Sequence, residues 1–179
     1  MKVISGKYKG KNLKGFDING TRPTMDRVKE SLFAMIQDYI KDSIVLDLFA
    51  GSGSLGIEAI SEGCKKVYFV DNNNIAINTI KDNLKGINED FEVLKKDYLS
   101  FLEEVSISFD IILLDPPYDT NLIEKTLEYL NNNLKLLNNN SLIVCETTKS
   151  IDYLNYNNFK IYKERKYNDK KVTILKYEK

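Results

Sequence analysis

Phe109-Asp110-Ile111-Ile112-Leu113-Leu114-Asp115-Pro116-Pro117-Tyr118 is the stretch that decides the fold. Ile111 to Leu114 form an unbroken apolar run, which suits a strand buried on both faces of a parallel sheet. Two prolines can neither continue a central strand nor donate to its ladder, so the chain must leave the sheet here. Asp115 is thereby placed at the carboxyl edge, where open α/β sheets bind ligands. The same residues suit one kind of chemistry. A carboxylate and the Pro116 carbonyl can accept both hydrogens of an exocyclic amine on a nucleobase and draw its nitrogen toward sp³, while the Tyr118 ring stacks on the base. The plainer alternative is that Pro116-Pro117 only ends a strand and Asp115 caps the next helix.

Around this stretch the apolar period switches repeatedly between strand and helix. Strands are expected at 43–48, 66–70, 91–94, 109–114 and 142–146. Helices are expected at 55–62, 74–84, 98–105 and 122–134, with Gly63 and Gly86 as stops. Such alternation predicts an α/β fold of right-handed βαβ units, a doubly wound and mostly parallel sheet. The tail changes period: 160–166 and 171–177 alternate about Tyr167-Asn168-Asp169-Lys170, with Ile161, Val172 and Ile174 on apolar faces. That predicts an antiparallel C-terminal hairpin closing one edge of a seven-stranded sheet. Asn131–Asn133 and Asn138–Asn140 read as loop-prone ends of the last crossover.

Residues 1–40 form a basic N-terminal extension, and 41–179 the α/β domain. Within the extension, 2–16 reads as a small hairpin or irregular basic arm, and Thr21-Arg22-Pro23-Thr24 as a breaker. Val28, Leu32, Met35 or Ile36, and Tyr39 then fall on one helical face, with Thr24 as its N-cap and Asp26 favouring the helix dipole.

A second motif opens the α/β part. Asp47-Leu48-Phe49-Ala50-Gly51-Ser52-Gly53-Ser54-Leu55-Gly56 contains G-x-G-x-x-G between a strand and a helix, and Asp71-Asn72 ends the next strand. Glycines there let backbone approach a ligand, and an acid at the second strand's end takes ribose hydroxyls. NAD fits that description. However, Asp47 within the first strand's end, and Asp97 with Tyr98 after the third, surround the same edge with acids. Acids disfavour a diphosphate and favour a cation, and S-adenosylmethionine offers sulfonium, ammonium, ribose and adenine.

Composition narrows the chemistry. The chain has no histidine, which excludes Ser-His and Cys-His nucleophiles and imidazole acid/base work. Cys64 and Cys145 lack metal spacing, so a metal site is not expected and both read as reduced core thiols in a cytoplasmic protein. No signal peptide or membrane span is expected. The net charge of zero hides segregation: residues 1–29 carry +6, 160–179 carry +5, and 30–159 carry −11. Basic ends on an acidic body suggest a polyanion-binding rim, against the simpler view that Lys-rich termini are solvated.

With both motifs in place the chain resembles a Rossmann-like class I methyltransferase of the amino-methylating kind. More closely, it resembles the bacterial family that methylates the N2 amine of a guanine in 16S ribosomal RNA. The likeness runs from Ile4-Ser5-Gly6-Lys7-Tyr8-Lys9-Gly10-Lys11-Asn12-Leu13 through Arg22-Pro23-Thr24-Met25-Asp26-Arg27-Val28-Lys29-Glu30-Ser31-Leu32-Phe33 and the glycine motif to Asp115-Pro116-Pro117-Tyr118 and Glu146. It implies that Asp47, Gly51 and Gly53 cradle the methionine part of the donor, with Phe49, Ala50 and Ser52 also among the donor-binding residues. Asp71 with Asn72 would hold the ribose, Asp97 and Tyr98 the adenine. Asp115 to Tyr118 would hold the target base, with Asp115 also at the donor's edge. Lys7, Lys9 and Lys11, together with Arg22, Thr24 and Arg27 over the active-site mouth, would bind RNA. A monomer acting on 16S RNA in small-subunit particles with ribosomal proteins is the implied setting. Asn168 departs from the glycine usual in similar sequences, though Asn tolerates a left-handed turn. Two other readings stay open: an adenine-N6 DNA methyltransferase, for which the chain is short of a DNA-reading domain, and a non-catalytic nucleotide- or RNA-binding module.

Overall fold

The computed structural model describes residues 1–15 and 23–179. Seven strands form one sheet: β1 (Ile44–Asp47), β2 (Lys66–Asp71), β3 (Phe91–Lys95), β4 (Phe109–Leu114), β5 (Leu137–Thr147), β6 (Phe159–Tyr167) and β7 (Lys170–Tyr177). Their order is β3-β2-β1-β4-β5-β7-β6. The first five strands run parallel, and β7 pairs antiparallel with both β5 and β6. The helices are α1 (Pro23–Ile40), α2 (Ser54–Ser61), α3 (Asn74–Asn83), α4 (Tyr98–Glu104) and α5 (Leu122–Asn132). Strand order reverses between β1 and β4, which opens a crevice at their carboxyl ends.

Each face of the sheet has its own apolar layer. On one side α1, α2 and α3 pack Leu32, Ile36, Ile57 and Ile80 against Val45, Val67, Phe69 and Ile111. On the other, α4 and α5 pack Phe101, Leu127 and Leu130 against Leu46, Ile112 and Ile143. Val3 and Leu13 belong to the first layer, so the N-terminal segment shares the core of the α/β part. That segment is a tight hairpin, with Val3 N donating to Lys11 O and Leu13 N to Met1 O. No helix among the described residues is long and apolar enough to cross a membrane.

Three local expectations need correction. Helix α1 begins at Pro23, so Thr24 is inside its first turn rather than at the N-cap. Proline suits that first position, where its missing N–H would have lacked a partner anyway. Asn138–Asn140 are not loop but the start of β5, where Asn138 Nδ2 donates to Asp110 Oδ1 at 2.8 Å. Asn140 takes φ 64°, and the pairing of β4 with β5 shifts register there. Ile161 is 53% exposed rather than on an apolar face, because β6 is an outer strand with a register shift between Ile161 and Lys163. Val172 and Ile174 are buried as expected, and Phe159 and Leu175 join them.

Candidate active site

A cavity of about 630 Å³ lies over the carboxyl ends of β1, β2 and β4. Strand β1 ends at Asp47, and the following loop turns sharply at Gly51 (φ 55°) and Gly53 (φ 79°) before α2. Asp71 fixes that loop, accepting from Gly51 N at 2.9 Å through one oxygen and from Asn73 N at 2.9 Å through the other. Asn83 braces it from α3, donating to Ser52 O at 2.9 Å. A side chain added at Gly51 would point into open space, whereas Gly56 has Phe69 Cε1 only 2.3 Å from where a Cβ would sit. Gly56 is therefore a packing glycine, and Gly51 a glycine at the ligand's face.

Nearly every residue singled out for the donor and the target base meets here. Asp47, Phe49, Ala50, Gly51, Ser52, Asp71, Asn72, Asp97, Tyr98 and Asp115 to Tyr118 all line the cavity. Gly53 does not: it caps α2, backed by Ile80 and Phe69. Asp97 serves two ends, since its Oδ2 also caps α4 by accepting from Leu99 N at 3.0 Å. Phe49 and Tyr98 stand together, ring centroids 5.5 Å apart, as an aromatic wall.

The basic residues expected to bind RNA are spread differently. Lys7, Lys9, Lys11 and Arg27 do not line the cavity. Lys7 pairs with Glu89, and Lys11 Nζ donates to Lys85 O at 2.9 Å, so both help seat the hairpin. Lys9 and Arg27 are exposed. Arg22 and the Thr24 side chain lie outside the described residues.

Several lining residues have no role that a motif in the sequence predicts. Asp26, in the first turn of α1, has its Oδ1 buried with no hydrogen-bond partner among the described residues. Lys29, one turn on, is buried and bonds Ser54 Oγ at 2.9 Å and Glu58 at 3.1 Å. Glu146 and Lys170 reach the cavity from β5 and β7, paired at 2.8 Å. Lys170 Nζ also sits 4.9 Å from the centre of the Tyr118 ring. Only the apolar-acid-proline order near Asp115 could have hinted at neighbours, and the register of β5 and β7 is needed to find them.

Electrostatics set the site apart. Asp47 is 2% exposed, and burial pushes its carboxyl up to about 7; the Gly56 N–H at 3.0 Å opposes this and Asp71 adds to it. Asp115 is raised well above the ordinary carboxylate value by burial first, then by Glu146 and Asp47, with Lys170 opposing. Carboxylates held at such cost, with an orphaned carboxylate oxygen beside them, fit a cation. They would repel a diphosphate. The residues present thus fit S-adenosylmethionine: acids for ammonium and sulfonium, an open glycine, an aromatic wall and an acid at the second strand's end.

Comparison with known proteins agrees with this geometry. The chain is 39% identical over 170 residues to the ribosomal RNA small subunit methyltransferase D of Haemophilus influenzae, covering 92% of this chain and 88% of that protein. The corresponding Escherichia coli K12 protein is 33% identical over 134 residues, covering 74% and 68%. Among solved structures, HI0767 of Haemophilus influenzae superposes with a TM-score of 0.83 at 34% identity, covering 99% of this chain and 98% of that one. The methyltransferase-like sheet, the donor-suited acids and the Asp-Pro-Pro-Tyr edge all lie within residues 1–176, which match one family model, and the chain belongs to that family, described as conserved hypothetical protein 95.

Proposed function

We propose that the protein transfers the methyl group of S-adenosylmethionine to the exocyclic N2 amine of a guanine in 16S ribosomal RNA, within the assembling or assembled small subunit. One observation carries this reading: a single cavity holds both the acid-lined glycine loop and Asp115-Pro116-Pro117-Tyr118. The name of the Haemophilus influenzae relative, at 39% identity, supports the substrate class.

When bound, S-adenosylmethionine supplies an electrophilic methyl on its sulfonium. Asp47, whose Oδ2 accepts from Gly56, and Asp26, through its unpartnered Oδ1, hold the ammonium end. Gly51 admits the chain of the donor past its backbone, Asp71 and Asn72 take the ribose, and Asp97 with the Phe49–Tyr98 wall takes the adenine. On the acceptor side, Asp115 and the Pro116 carbonyl accept the two N2 hydrogens and fix the nitrogen's lone pair along the line of transfer. Pro116-Pro117 makes that geometry stiff. Tyr118, 47% exposed, offers its ring as a stacking platform, held from beyond by Lys170. As the donor gave up its methyl to N2, the proton that N2 must lose would pass to Asp115, whose raised proton affinity suits it to receive one. A base in folded RNA must leave its stack to reach Asp115, at a cost of a few kcal/mol. Phosphate interactions of Lys7, Lys9, Lys11, Arg22, Thr24 and Arg27 offset this without reading sequence.

The test is transfer from labelled S-adenosylmethionine to unmethylated small ribosomal subunits, with plasmid DNA in parallel and digestion to nucleosides. N2-methylguanosine from the RNA is the expected product. N6-methyladenine from either nucleic acid would overturn the substrate, and no product at all would return the protein to the nucleotide-binding reading.

A further inference from the structure

Three side chains that no sequence motif connects stand in a row at one sheet edge. Strands β4 and β5 pair in parallel with Leu114 opposite Cys145, so the next step along both sets Asp115 beside Glu146. Neighbouring strands lie about 4.8 Å apart, so these carboxyls project side by side. Beyond β5, β7 pairs with Glu146 opposite Val172, and Lys170 lies two residues along on the same face. Its Nζ meets Glu146 Oε1 at 2.8 Å, which leaves Oε2 for another partner. All three line the cavity. Across β4, β5 and β7 the edge therefore reads acceptor, acceptor, donor.

We infer that Asp115, Glu146 and Lys170 together read the edge of the target base, with Glu146 and Lys170 as the residues that select guanine. This rests on the proposed function above. The Watson–Crick edge of guanine presents, in order, N2–H, N1–H and O6: donor, donor, acceptor. Asp115 accepts from N2, Glu146 Oε2 accepts from N1–H, and the Lys170 ammonium donates to O6. In the same orientation adenine offers a C–H, a bare N1 and an amine, so it brings nothing for Asp115, a lone pair against Glu146 and a donor against Lys170; turned to give Asp115 its amine, it still sets its bare N1 against Glu146. The ion pair gives the reading its rigidity. Lys170 cannot leave Glu146 without stranding a buried carboxylate, and its position 4.9 Å from the Tyr118 ring centre aligns the stacking platform with the same edge.

The discriminating substrate is 2,6-diaminopurine, which keeps the N2 amine but has a bare N1 and an amine in place of O6. Small subunits are reconstituted with guanosine or diaminopurine riboside at the methylated position, and kcat/KM is measured for the unaltered protein, Glu146→Gln and Lys170→Met. Thermal melting and donor binding are followed alongside as controls for folding. The unaltered protein should prefer guanine by about a hundredfold or more, since a site built of hydrogen-bonding groups rejects a mismatched edge strongly. Glu146→Gln should lose at least about tenfold on guanine while its preference narrows, because the amide can donate to the bare N1. Lys170→Met should also narrow the preference, by relieving the ammonium–amine clash. Equal loss on both bases, or an unchanged preference in both variants, overturns the inference while leaving methyl transfer intact. No transfer to guanine by the unaltered protein overturns the proposed function instead.

Discussion

Asp47 shows how a site can oppose stability. Its carboxyl is pushed up to about 7 by burial, against an ordinary value of 3.8 in the unfolded chain. The folded state therefore binds the proton more tightly, and stability falls as pH rises from about 4 to 7. Above that range the ionised form costs the free protein about 4 kcal/mol, from about 1.4 kcal/mol per pKa unit. Asp47→Asn keeps an acceptor for Gly56 N–H and removes the buried charge. It should raise the melting temperature at pH 8 by at least about 5 °C, and by less at about pH 5, while abolishing S-adenosylmethionine binding. Equal melting shifts at the two pH values would refute the buried-carboxylate account. Asp115 follows the same sign: burial, Glu146 and Asp47 raise it. The pH profile of transfer should show an acidic limb above the usual carboxylate range, because a protonated Asp115 accepts the N2 hydrogen weakly and cannot take up its proton. Glu146→Gln removes the like charge and frees Lys170 toward Asp115, so the limb should move to lower pH. Asp115→Ala should abolish transfer while donor binding persists.

The N-terminal hairpin, α1 and α2 are locked by one buried ion pair. Glu58, fully buried in α2, accepts from Ile4 N at 3.0 Å and Ser5 N at 2.9 Å and pairs with Lys29 at 3.1 Å. Lys29 in turn donates to Lys2 O at 2.7 Å. Gly6, at φ 78°, lies so close to α2 that a Cβ would fall 1.9 Å from Ser61 O. Lys29→Met leaves Glu58 charged and unpaired, and should cost about 3–5 kcal/mol in urea unfolding. Replacing Glu58 as well should not restore stability, because Ile4 and Ser5 N–H would then lose their acceptor. A double variant as stable as the parent would count against the hairpin's dependence on this pair. The parallel strands were legible because burial on both faces leaves an apolar run such as Ile111–Leu114, and Gly63 and Gly86, at φ 95° and 82°, stop helices as glycine does. The start of β5 was not, since Asn138 owes its strand position to a partner, Asp110, distant in sequence. That Asp47, Asp71 and Asp97 line one cavity was legible because each stands at or just past the end of its own strand. The roles of Lys29, Glu146 and Lys170 were not, because α1 and β7 reach the site only by packing that no local period records.

Across the molecule, the two basic ends meet different parts of the fold: Lys7 and Lys11 lie against the α3–β3 end of the sheet, and β6 forms its opposite edge against α1. Strand β6 crosses α1, where Lys163 Nζ donates to Met35 O at 2.9 Å and Arg165 Nη1 to Ser31 Oγ at 2.8 Å, and Tyr39 meets Tyr162 edge-on at 5.7 Å. Acids of residues 30–159 meet the basic ends directly, Glu89 at Lys7 and Asp82 at Lys14. Not every lysine on that rim is free to contribute. Lys7 is held by Glu89 and Lys11 by Lys85 O, whereas Lys9 and Arg27 are exposed and α1, which carries Arg27, also borders the cavity through Met25, Asp26, Val28 and Lys29. Every phosphate left without its cation should reduce the slope of log affinity against log salt by about 0.7–0.9. Removing Lys9 and Arg27 together should therefore flatten the slope for small-subunit RNA by just under about two, with donor binding unchanged. Lys7→Ala should change it less and lower thermal stability instead, because Glu89 loses its cation. A larger slope change from Lys7 than from Lys9 and Arg27 combined would place the RNA on the hairpin's far side, away from the cavity, and would separate the basic rim from the site it is proposed to serve.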